Sequence, residues 1–111
     1  MNRHIRGFIA AAAIGLGLSG AAQAQQFVNV LTGGTSGIYY PLGVALSQIY
    51  GKTIPEAKAS VQSTKASVEN LNLLQAGRGE IGFTLGDALS DAWKGNAEVG
   101  FKAPLNKLRG I

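Results

Sequence analysis

Residues 32–43, Thr-Gly-Gly-Thr-Ser-Gly-Ile-Tyr-Tyr-Pro-Leu-Gly, constrain the fold more than any other stretch of the chain. They follow a short apolar run rich in β-formers, residues 27–31, and the two glycines end that run as a strand. From Ile38 the period changes. Ile38, Leu42, Ala45, Leu46 and Ile49 recur at helical spacing and predict one apolar helix face over three turns. Pro41 fits only the first turn of such a helix, so the helix is expected to begin near Ile38, with Gly51 as its stop. The segment is therefore a strand, a small hydroxyl-rich turn and a helix. Such a turn leaves backbone N–H groups and the hydroxyls of Thr35 and Ser36 free at a helix N-terminus, a place to hold an anion.

The pattern then repeats. Residues 59–63 are a weaker strand candidate, and Ser67 offers an N-cap with Glu69 in the first turn behind it. Val68, Leu71 and Leu74 line one face until Gly77 stops that helix. Residues 81–85 alternate large and small and predict a third strand. Asp87 is placed to cap a last helix in which Leu89, Ala92 and Trp93 share a face, with Gly95 as its end. Trp93 is read as core. Residues 108–111 look like the beginning of a further strand. The order β-α-β-α-β-α implies an α/β fold, a parallel sheet with flanking helices joined by right-handed crossovers. In such sheets ligands sit at the carboxyl ends of the strands. Three small or polar loops fall there: residues 33–37, residues 64–66, and Gly86 with Asp87.

Residues 1–24 read as a signal peptide rather than as fold. Arg3, His4 and Arg6 make a basic start, residues 8–18 are apolar, and Ala22-Gln23-Ala24 is a small-x-small cleavage site. The apolar run is short for a bilayer span. Cleavage after Ala24 leaves residues 25–111 as the exported part, which implies a periplasmic location. It also changes the charge: ten Lys and Arg against six Asp and Glu give +4, and loss of Arg3 and Arg6 lowers this to +2. The remaining cations are scattered singly, whereas a nucleic-acid binder clusters them on one face, so no nucleic-acid partner is expected.

The chain has no cysteine, which excludes disulfides, thiolate metal sites and cysteine catalysis. Its single histidine, His4, lies in the leader. The exported part thus has no imidazole for a triad, a general base or a zinc site. No catalytic residue, metal site or cofactor is expected, and the chain is read as not an enzyme. Two G-x-G-x-x-G matches are discounted. Residues 15–20 lie in the leader, and residues 77–82 run from helix to strand, the reverse of a dinucleotide fingerprint. Gly51-Lys52-Thr53 lacks the upstream glycine of a phosphate loop, since Leu46 stands there.

Hydroxyls before a helix are commonly plain caps, and for Thr35-Ser36 alone that is the better reading. The loop Ser63-Thr64-Lys65-Ala66-Ser67 shifts the balance, because it repeats the hydroxyl-rich strand-to-helix geometry. Two such loops at one sheet edge can converge on a single anion. Of Tyr39 and Tyr40, one is expected in the core and the other against a ligand. Asp87 is read as a cap before a ligand contact. Glu56, Lys58, Glu98 and Lys102 read as solvated surface.

With both loops located, residues 32–43 resemble the opening motif of the TAXI class of solute receptors, which serve tripartite ATP-independent periplasmic (TRAP) transporters. Val61-Gln62-Ser63-Thr64 with Ser67-Val68-Glu69-Asn70-Leu71 resembles the second signature of that class. Leu74-Gln75-Ala76-Gly77, then Ile81-Gly82-Phe83 and Asp87, resembles the third. The resemblance implies a type II periplasmic-binding-protein fold whose two α/β lobes close on a small organic anion, a dicarboxylate or a glutamate-like amino acid. The partners would be the membrane subunits of a TRAP permease. Carried over by position, the ligand contacts are Thr35, Ser36, Gly37 and Tyr39 from the first loop and Ser63, Thr64 and Ser67 from the second. Asp87 is the candidate from the third. The class usually has glycine where this chain has Lys65. Its members are several-fold longer, so residues 25–111 are expected to be the N-terminal part of the first lobe, without the second. Two alternatives remain open: a receptor for an ATP-driven importer, and a small exported α/β interaction module.

Overall fold

The computed structural model describes residues 24–111; apart from Ala24, the leader read in residues 1–24 lies outside the described residues. Six elements follow in the expected order: β1 (Gln26–Leu31), α1 (Tyr39–Thr53), β2 (Ala57–Gln62), α2 (Ser67–Gln75), β3 (Ile81–Gly82) and α3 (Gly86–Lys94). The three strands form one sheet in the order β2-β1-β3. Both pairings are parallel, with Val30 opposite Val61 on one side and Ile81 on the other. β1 is central because its Val and Leu residues tolerate burial on both faces; Val30 and Leu31 are fully buried. β3 is shorter than expected. The ladder ends at Gly82, and Phe83 makes one more bond, N–H to Leu31 O at 3.0 Å, before the chain turns away.

Side-chain alternation assigns the faces. Val30, Thr32 and Val61 lie towards α1, and Leu31 and Gly82 lie towards α2. α1 corrects the sequence reading twice. Its buried position is Gly43, where a Cβ would collide with Thr32 Cγ2 and stand 3.5 Å from Val30 and Val61 Cγ1. The stripe expected to be buried is mostly outside: Ile38 is 73% exposed, and Leu42, Ala45 and Ile49 are also exposed, leaving Leu46 half-buried. A glycine brings helix and sheet backbones together, so the face that carries it is the packed one. A count of large apolar residues misses that. Gly51 does not stop the helix either. The helix runs to Thr53, and Ile54 and Pro55 end it, with Ile54 extended at φ −101°.

The predicted glycine stops on α2 and α3 do hold. Gly77 and Gly95 take φ of +71° and +70°. In each case the next amide reaches back five residues, Arg78 N–H to Leu73 O at 2.9 Å and Asn96 N–H to Asp91 O at 2.9 Å. The core lies under α2 and α3, where Leu71, Ala88 and Ala92 meet Phe101, Leu105 and Leu108, flanked by Val68, Leu74 and Leu89. The last three buried residues come from a segment with no regular structure, and residues 108–111 form no strand. That segment is tied down by Leu105 N–H to Ala92 O and Lys107 N–H to Gln75 Oε1, at 2.9 and 3.0 Å. Trp93 corrects the core expectation: Ala88 and Ala92 take the buried face of α3, and Trp93, about 100° further round, is 59% exposed.

Candidate functional site

Parallel strands all point their carboxyl ends to one edge, so the loops after β1, β2 and β3 are brought together by topology alone. Hydrogen bonds then join them. After β1, Gly33 O accepts from Thr64 N–H at 3.2 Å and from the Ser63 hydroxyl at 2.9 Å. After β3, Leu85 N–H donates to Ser67 Oγ at 3.0 Å. The Tyr39 ring, at the start of α1, stacks on Phe83 with centroids 5.2 Å apart. Tyr39 and Tyr40 are both half-buried.

Asn70 sits at the centre of this junction and is fully buried. Its Nδ2 donates to Thr32 O at 2.6 Å and to Phe83 O at 2.8 Å. Its Oδ1 accepts from the Thr64 hydroxyl at 2.6 Å, which also has Thr32 O at 3.0 Å. Thr64 Oγ1 in turn accepts Ala66 N–H at 3.0 Å. One amide side chain therefore bonds to the ends of all three strands. Sequence reasoning quoted Asn70 only as part of a motif and assigned it no role. The available signal was a polar residue at position 70 beside Leu71 and Leu74, on the helix face that turns inward.

The two helix starts differ. α1 has no side-chain cap and no acidic residue in its first turn. The turn before it is closed by Gly37 N–H to Gly34 O at 2.8 Å. The Tyr39 and Tyr40 amides and the Thr35 and Ser36 hydroxyls have no partner among the described residues. Thr35, Ser36 and Gly37 are all exposed. The amides just before α2 are served from within. Ala66 is the N-cap residue, in place of the expected Ser67, and Lys65 N–H donates to Glu69 Oε2 at 2.6 Å, a variant of the capping box. Ser67 accepts from Leu85 instead, which leaves its own hydroxyl proton free. Asp87 corrects the cap reading as well. Leu85 is the N-cap residue of α3, and Asp87 lies exposed in the first turn with Oδ1 accepting Ala88 N–H at 2.7 Å.

The conformation expected of a glycine falls at Ala66 rather than Lys65, with φ 69° and ψ −145°. A side chain in that region is strained and is held only by surroundings that fix it. Here those are the Thr64 hydroxyl on Ala66 N–H and the Asn70 N–H on Ala66 O at 3.0 Å. Among the described residues no cluster of three or more His, Cys, Asp or Glu is placed to hold a metal ion. No described helix is long and apolar enough to cross a membrane.

The edge thus presents one loop with two open hydroxyls and two loops whose polar side chains are bonded within the junction, all joined through one buried amide. The sequence model of the NMT1-like family, a periplasmic binding-protein-like family, matches residues 30–111, from the end of β1 through all three loops. The chain belongs to the NMT1-like family.

Proposed function

We propose that residues 25–111 form part of the first lobe of an exported solute receptor of the TAXI type, which captures a small organic anion and delivers it to a TRAP permease. The observation that carries this reading is the open start of α1: unpartnered amides and two unpartnered hydroxyls, at the carboxyl edge of a parallel sheet, in a helix with no acidic residue in its first turn. A helix N-terminus carries about half a positive charge, and a carboxylate placed there gains charge-assisted hydrogen bonds. Thr35 and Ser36 would donate their hydroxyl protons, and Gly37 would leave the backbone open to close approach. Tyr39 would supply its amide and, through its stack on Phe83, a fixed apolar wall. Ser67 would donate the hydroxyl proton that Leu85 leaves free. Ser63 and Thr64 would shape the second loop, and Asp87 would border the third.

The fitting ligand is a dicarboxylate or a glutamate-like amino acid, with one carboxylate on the α1 start. One wall leaves much of such an anion hydrated, so binding to residues 25–111 is expected at about 1 mM or weaker, about −4 kcal/mol. Amide chemical-shift titration of the ¹⁵N-labelled chain with 2-oxoglutarate tests this. Saturable shifts confined to residues 34–40 and 67 are expected. Shifts centred elsewhere, or none at 100-fold excess over that constant, would refute the reading.

A further inference from the structure

We infer that Asn70 is the positioning residue of this edge: it couples the three strand-end loops, so that displacing one is felt at the other two. The inference rests on the proposed anion site only for its ligand arm. Asn70 is fully buried and touches no solvent, so it cannot itself contact a ligand at the edge. Yet three of its hydrogen-bonding positions are used, and each bond goes to a different part of the junction: Thr32 O before the first loop, Thr64 Oγ1 in the second, and Phe83 O after β3. Each of those groups is one step from a loop element. Thr32 leads into Gly33, which Ser63 and Thr64 hold, and Phe83 carries the Tyr39 stack and leads into Leu85, which Ser67 holds. Removing the amide donors takes a partner from two carbonyls at once, and removing its acceptor frees the Thr64 hydroxyl that fixes the strained Ala66.

Among the described residues the edge has no other link that reaches all three loops. Backbone ladder bonds join β1 to β2 and β1 to β3, but β2 and β3 are not neighbours in the sheet. The second and third loops are therefore joined only through side chains, of which the described bonds are those of Asn70 and Ser67. Ser67 bonds the third loop from the start of α2, whereas Asn70 alone reaches all three.

The test is residue-resolved amide hydrogen exchange on the full chain carrying Asn70→Asp, which keeps shape and acceptors but loses both donors. The amides of Thr32, Thr64 and Leu85, one at each of the three strand-end loops, are expected to exchange about tenfold faster together, as for a shared local opening that loses a buried hydrogen bond. The amides of Arg78 and Asn96, at the far helix ends, are expected to be unchanged. A uniform acceleration across the chain, or one confined to α2, would overturn the inference. Where Asn70→Asp does not fold, Thr64→Val removes the hydroxyl from the same junction and is expected to give the same three-loop pattern, with Thr64→Ser restoring protection. A Thr64→Val pattern limited to Lys65 and Ala66 would equally overturn it. The ligand arm is separate: 2-oxoglutarate shifts at residues 34–40 in the unsubstituted chain are expected to vanish in Thr64→Val and return in Thr64→Ser. Absence of those shifts in the unsubstituted chain counts against the anion site and leaves the exchange result to decide the coupling.

Discussion

Replacing Ala66 by glycine should stabilise this protein, against the usual direction for such a change. At most positions Ala→Gly costs about 0.4–1 kcal/mol, because glycine adds freedom to the unfolded chain. Ala66, however, sits at φ 69° and ψ −145°, a region in which a Cβ is strained by about 1–3 kcal/mol. Its Cβ gives little back. Ala66 is half-buried, and a single methyl group makes few contacts, each worth about 0.1–0.2 kcal/mol. Relief of strain minus the entropy term leaves about 1 kcal/mol in favour of glycine. For a domain of this size that is a rise of about 4–8 °C in melting temperature. Urea unfolding followed by far-ultraviolet circular dichroism is the assay, since the exposed Trp93 makes fluorescence a poor reporter. The midpoint should rise with the slope unchanged. Ala76→Gly is the control: its φ is −80°, so the same substitution there should lower the midpoint. If Ala66→Gly is destabilising by as much as Ala76→Gly, the strain argument is wrong.

Gly43→Ala should be destabilising by about 1–3 kcal/mol, because its Cβ would collide with Thr32 in a packed contact, even though alanine is the better helix former by about 1 kcal/mol; a thermal melt reads the sign. Phe101→Ala should cost about 3–5 kcal/mol, since the ring is fully buried against α2 and α3, and a urea midpoint measures it. The double substitution Thr35→Ala with Ser36→Ala should abolish the 2-oxoglutarate shifts while stability moves by less than about 0.5 kcal/mol, because both side chains are exposed and unpartnered.

Element order and strand direction were legible because they depend on the alternation of period-2 and period-3.6 segments and on glycine stops, which are local. The parallel sheet, the stops at Gly77 and Gly95 and the convergence of three loops all follow from that. What was not legible depends on distance. The buried face of α1 is chosen by Gly43, whose value lies in the missing side chain and in what Thr32 and Val61 place opposite it. Phe101, Leu105 and Leu108 have no period to announce them, because they fill the end of a core built by α2 and α3 rather than one face of an element. The cap assignments to Ser67 and Asp87 failed for a related reason. Each residue is of capping type, but Thr64 and Glu69 serve the amides before α2, and Ser67 is turned instead to the loop after β3.

The difference between the two hydroxyl-rich loops gives their apparent repetition its meaning. Both are strand-to-helix turns of similar composition, and by composition alone they are equivalent anion holders. Their bonding differs. The start of α2 already has a carboxylate, that of Glu69 on Lys65 N–H at 2.6 Å, and its threonine is bonded inward to Asn70. A second carboxylate arriving there would meet the first, and like charges at that distance repel. The start of α1 has no acid and no cap, and its hydroxyls face outward. Electrostatics therefore directs an incoming anion to the first loop and makes the second its support. On this account the second loop is hydroxyl-rich because Ser63, Thr64 and Ser67 fix the geometry of its neighbours, each bonding to another loop or to the residue that joins them.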